Sequence, residues 1–318
     1  RSVPHAHVLL PRNRDAEVNN ADAAAAIGLH PASASPLTVW LGYGSELGEL
    51  LRRGNLEGRT AEYDALLEVW SRQEGLRLRS ADGVPLRAPT FDDYRAARST
   101  IAAHSTLADL LPDDLLRLAS GAACGEESDE DYTSTGLNLA TRLLLDPTNP
   151  GRYVVSVDGG LLPATGGAAY DTHSLHVLES SRNVTHAMRR LASHINEPGE
   201  NDANKLDLDR HTVLLTTEFG RSPFSEGGDG TDHWPQGYVQ VLIGSLVEPG
   251  AAGVVGSIGA DGHADDYVTP EEFRAALLLA QGIWPFHPEA FAVGDVREGS
   301  TEEEAALYLR ERVLGVRA

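Results

Sequence analysis

Apolar positions recur along this chain at two different periods, and the change between them falls near residue 135. From about Thr60 to Leu118 the spacing is helical: Tyr63, Leu66, Leu67 and Trp70 lie three and four apart, as one face of an amphipathic helix requires. Asp92 to Leu111 predicts a second helix, closed by Pro112, with Asp113 and Asp114 opening the next segment. Residues 1 to 44, rich in Pro, Ala, Gly and Asn, predict irregular structure, and Gly121 to Asp131 an acidic connection.

Beyond this point helices alternate with short β-branched runs. Leu137 to Leu145 predicts a helix ended by Asp146-Pro147, and Tyr153 to Val157 a buried strand bounded by Gly151 and Gly159. Val184, Met188, Leu191 and Ile195 share one helical face that stops near Pro198. Thr212 to Thr217 and Tyr238 to Ile243 predict two further strands. Thr269-Pro270-Glu271-Glu272 is a helix start, with Thr269 as N-cap and Pro270 in the first turn, continued by Phe273 to Leu279. Such alternation predicts an α/β fold with a largely parallel sheet and helices on both faces. The expectation is one domain over residues 1–318, with a helical region at 45–120.

Composition narrows the function classes. The chain has 318 residues and 41% hydrophobic positions, enough for a sizeable core. Its 26 Lys and Arg against 47 Asp and Glu give a formal charge of −21, which disfavours phosphate backbones and anionic lipid as partners. No apolar run approaches the roughly 18 residues that span a bilayer. Lys205 is the one lysine and Cys124 the one cysteine, so an intrachain disulfide or a thiolate metal cluster is excluded. Cys124 reads as a small apolar filler, because no local cation would activate it. The sequence begins at Arg1 and its one methionine is Met188, so a processed or truncated product is expected.

Two of the predicted strands lead into polar clusters, where α/β sheets gather their chemistry. After Tyr153–Val157 come Asp158-Gly-Gly and then Asp171-Thr172-His173-Ser174. After Thr212–Thr217 come Glu218-Phe219-Gly220-Arg221, a glycine-rich loop, and Gly230-Thr231-Asp232-His233. Each motif has an ordinary reading by itself: a turn with a capping aspartate, a buried ion pair between Glu218 and Arg221, a loop pair. Together their carboxylates and imidazoles suit Zn²⁺, Mn²⁺, Fe or Ca²⁺. Arg221 has two readings of equal weight, a fork for phosphate or sulfate oxygens and a salt bridge to Asp229 or Glu226. His176, His186 and His194 are assigned to solvent or capping contacts. His263, beside Asp261, Asp265 and Asp266, is read as part of a solvated acidic loop, with a second cation site as the alternative.

At these residues the sequence resembles the bacterial domain-of-unknown-function family 1501. The likeness rests on Leu139-Ala140 and Leu143, the strand Tyr153–Val157, Asp171-Thr-His-Ser, Thr217-Glu-Phe-Gly-Arg-Ser-Pro and Gly230-Thr-Asp-His. It covers roughly residues 135–295. The resemblance implies an alkaline phosphatase and sulfatase-like, doubly wound α/β fold with metal at the strand ends. It implies a metal set of Asp171, His173, Glu218 and His233, with Asp232 as a further member; zinc is the expected divalent metal ahead of calcium or manganese, and Arg221, by its donor fork, is the expected catalytic residue. It further implies a small phosphate or sulfate ester as substrate, and a periplasmic or exported location, with a cytoplasmic one also open. Two departures matter. An expanded loop, Leu161 to Tyr170, replaces the glycine-tryptophan that often precedes Asp-Thr-His, so Asp158 competes with Asp171 as a ligand. The serine or threonine nucleophile of such hydrolases also has no counterpart in the first forty residues. A non-catalytic protein, binding its partners through the region from Thr60 to Leu118, is therefore the alternative expectation.

Overall fold

The computed structural model describes residues 7–10, 37–38, 60–77, 132–147, 150–158, 160, 170, 172–173, 176–217, 219–227, 229–244, 253–287 and 290–315. The chain divides into two compact units. One holds Arg1–Tyr170, Ser181–His194 and Asp202–Lys205; the other holds Asp171–Ser180, Ile195–Asn201 and Leu206–Ala318.

The first unit contains a short parallel sheet. Strand β1 (His7–Leu10) lies between β2 (Leu37–Thr38) and β3 (Tyr153–Ser156), with Val8 opposite both Leu37 and Val154. β1 and β2 arise where the composition predicts irregular chain. Their apolar runs are too short to stand out against the surrounding Pro and Ala. Helix α1 (Thr60–Arg77) forms where its periodicity predicts one, yet Leu66, Val69 and Trp70 are exposed. Helix α2 (Tyr132–Leu145) packs on β3 and ends before Asp146-Pro147 as expected. It begins at Tyr132, ahead of the Leu137 that the sequence suggests. Its Leu139 and Leu143 join Val8 and Leu10 as fully buried side chains. The predicted helix at Asp92–Leu111 and the connection at Gly121–Asp131 lie outside the described residues. Helix α3 (His176–Ser193), assigned to the second unit up to Ser180 and to the first from Ser181, starts well before Val184 and buries Leu191 and Asn183, while Val184 and Met188 stay exposed.

The second unit overturns the expected doubly wound, largely parallel sheet. Its described strands pair as two-stranded antiparallel ribbons: β4 (Val213–Leu215) with β7 (Val241–Ile243), β5 (Gly220–Gly227) with β6 (Gly230–Trp234), and β8 (Ser257–Ile258) with β9 (Ala264–Asp266). The physical reason lies in the connections. Parallel neighbours need a long crossover, usually a helix. The stretch between β4 and β7 instead contains the β5–β6 hairpin, and the chain returns antiparallel, with Val213 opposite Ile243. Parallel pairing among the described residues is confined to β1–β3 and two isolated bridges.

Helices α4 (Pro270–Ala280) and α5 (Glu302–Arg312) pack together over the apolar core of this unit, which includes Ala275, Ala276, Leu279, Phe286, Val296, Ala305 and Leu309. The predicted start of α4 is found. Thr269 Oγ1 accepts from the Glu272 backbone N–H at 3.1 Å, and Glu272 accepts from the Thr269 N–H at 2.9 Å, a reciprocal capping box. Glu272 is fully buried and also accepts from the Arg297 backbone N–H and guanidinium, each at 3.0 Å. Burial opposes ionisation of Glu272, but these donors outweigh it and hold the carboxyl below its ordinary range.

Candidate metal centre

The β5–β6 hairpin is the frame of the site. Its turn spans Gly227 to Gly230, which pair across the ladder. Gly227 (φ 110°) and Asp229 (φ 61°) both take left-handed backbone there, a conformation Gly and Asp accept at low cost. The sequence shows this segment as a glycine-rich loop; the Asp229-Gly230 pair is the hairpin signal within it. At the other end, Gly220 packs against the Gly237 backbone so closely that a Cβ would lie 2.0 Å from its carbonyl oxygen. Trp234 Nε1 donates to Gly262 O at 2.9 Å, fixing the end of β6.

The segment carrying His173 is stitched to this hairpin by main-chain bonds. Thr231 N–H donates to Thr172 O at 3.1 Å, and His176 N–H donates to Asp229 O at 3.0 Å. Thr172 is buried, and its hydroxyl lies 2.5 Å from His176 Nδ1. His173 is thereby held beside β6, its ring 5.3 Å from that of His233. His173, Asp232 and His233 each present a ligand atom, all within 4.8 Å of one another, and all three residues are exposed. Metal bonds of about 2.0–2.2 Å place tetrahedral donors roughly 3–4 Å apart, so small rotations of exposed side chains close the set. Two imidazoles and a carboxylate suit a zinc-type divalent ion and leave coordination positions open.

Several groups tune this trio. His233 N–H donates to Asp232 Oδ1 at 2.7 Å. That bond, aided by Glu226 and the charges of His173 and His233, holds the Asp232 carboxyl below its ordinary range despite some desolvation by its neighbours. Arg221 stands directly opposite His233 across the hairpin, so the two side chains share a face. Its Nη1 donates to Thr231 O at 3.0 Å, and its guanidinium lies 6.0 Å from the Phe219 ring, which packs 4.3 Å from His233. Burial, and then the Arg221 charge, push the His176 imidazole pKa down.

The structure brings together three of the five proposed ligands, with Arg221 beside them. Asp171 and Glu218 lie outside the described residues. Asp158, the competitor for Asp171, belongs to the first unit. Its carboxylate accepts from Thr133 Oγ1 and Tyr170 OH, both at 2.7 Å, and from Gly160 N–H at 2.9 Å. Two residues have roles that their sequence context does not suggest. His176, read as a solvent or capping histidine, helps fix the His173 segment. Glu226, considered as a partner for Arg221, meets His173 Nδ1 at 2.8 Å. Spacing along the chain gives no hint of that contact, because 53 residues separate Glu226 from His173. His263 pairs with Asp261 at 3.3 Å and Asp266 with Arg312, as in an ordinary charged loop.

A family model described as "Protein of unknown function (DUF1501)" matches residues 137–304. No curated protein and no solved structure matches the chain.

Proposed function

Taking as premise that the chain belongs to the DUF1501 family, we propose that it is a metal-dependent hydrolase of phosphate or sulfate esters. The observation that carries this reading is the convergence of His173, Asp232 and His233, from two separate segments, on one exposed spot. A divalent ion bound there supplies a Lewis acid for an ester oxygen and lowers the pKa of water. Exposure admits substrate, and Arg221, on the same face as His233, offers donors for the free oxygens of the ester. The likeness to alkaline phosphatase and sulfatase-like hydrolases enters this reading as chemistry, without their sheet.

The test is direct. Metal content is measured on the purified protein, followed by hydrolysis of nitrophenyl phosphate and nitrophenyl sulfate before and after chelation. The expected result is activity restored by zinc in the wild type. In His233→Ala the loss should exceed the roughly 10–100-fold typical of removing an outer-sphere partner. No metal uptake, or activity indifferent to chelator and to His233→Ala, excludes the reading.

A second reading has one observation in its favour. Leu66, Val69 and Trp70 are exposed at i, i+3 and i+4 of α1, the spacing of one helical face. On that reading the chain is a non-catalytic binding protein, and the cation is structural. Size-exclusion of the natural protein separates the two: a partner released by Leu66→Glu supports binding through α1, and a lone monomer counts against it.

A further inference from the structure

Glu226 contacts one member of the ligand trio without belonging to it. It projects from β5, and its Oε2 lies 2.8 Å from His173 Nδ1. An imidazole that donates from Nδ1 carries its lone pair on Nε2, the nitrogen that can then ligate. A carboxylate behind a ligating histidine thus fixes both the tautomer and the ring orientation.

The side chains of His173 and Glu226 are 44% and 41% exposed. An ion pair in that much water contributes little to folding, so its worth lies elsewhere. Resting on the metal-site reading above, we propose that Glu226 is a positioning residue: it orients His173 through Nδ1 and so sets the affinity of the His173–Asp232–His233 trio for a divalent ion. The ladder shifts register between Arg221 and Ser225 and again between Ser225 and Gly227, and the hairpin turn follows immediately after Glu226.

The experiment titrates zinc into the full chain by calorimetry and cobalt by its visible absorption, for wild type, Glu226→Gln, Glu226→Ala and His173→Ala, with melting temperatures of the metal-free proteins alongside. The expected result is a fall in affinity of about 10–100-fold in Glu226→Ala, with an altered cobalt spectrum and an unchanged melting temperature. Glu226→Gln, whose amide oxygen still accepts from Nδ1, should recover most of that loss. Equal affinity of wild type and Glu226→Ala overturns the positioning role while the metal site stands. An equally large loss in the Gln and Ala variants overturns it in favour of direct ligation by the carboxylate. Absence of zinc and cobalt binding in the wild type overturns both the role and the site.

Discussion

His176 is half-buried against the hairpin, with Thr172 on its Nδ1 and the Arg221 charge nearby. Burial first, and Arg221 second, lower its pKa below the ordinary histidine value of about 6.5. The unfolded chain therefore binds more protons than the folded chain once pH drops below that value, and stability falls with acidification. The lowered carboxyl of Glu272 has the same sign in a more acid window: its contribution is full above the ordinary glutamate range and is lost as pH falls through its depressed value. A His176→Gln variant removes the first effect alone. The melting temperature of the wild type should fall more steeply than that of the variant between about pH 7 and about pH 5.5. Parallel curves would show that His176 titrates alike in both states.

Among the elements, the β5–β6 hairpin matters most, because both sides of the proposed site hang on it. Its geometry depends on the absence of a side chain at Gly220, where the neighbour is the Gly237 carbonyl, main chain that cannot swing aside. A Gly220→Ala substitution should destabilise the chain by about 1–3 kcal/mol, the usual cost of overpacking, and displace β6 with His233 on it. The check pairs a denaturation curve with a zinc titration, and unchanged midpoint and affinity would contradict the assigned close approach. Helix α4 contrasts with the hairpin. Its capping box is set by Thr269 and Glu272, a few residues apart, so its start is readable from local sequence. Glu226 and His173 have no such local signature.

For the whole molecule, the net charge of −21 favours cations and disfavours nucleic acid, while no described helix is long and apolar enough to cross a membrane. A metal held at the proposed site by the folded chain alone would couple that site to global stability. Free zinc at about 100 times its Kd should add about 2.7 kcal/mol, read as a rise in melting temperature that is absent in His233→Ala. No rise in the wild type at saturating zinc would mean that the folded chain has no preference for the ion.

Sequence by itself determined the features whose causes are local. The helical period of α1, the stop at Asp146-Pro147, the Thr269 cap and the residue types of the candidate site all follow from neighbours a few positions apart. The tertiary structure decided pairing and partnership. A run such as Val213–Leu215 has the same apolar pattern whether it pairs parallel or antiparallel, and the intervening hairpin made it antiparallel. His173, Asp232 and His233 were legible as donors. Their meeting, and the contact of Glu226 with His173, depend on main-chain bonds between Thr172 and Thr231 and between His176 and Asp229. Those bonds join residues far apart in sequence, and no periodicity along the chain encodes them.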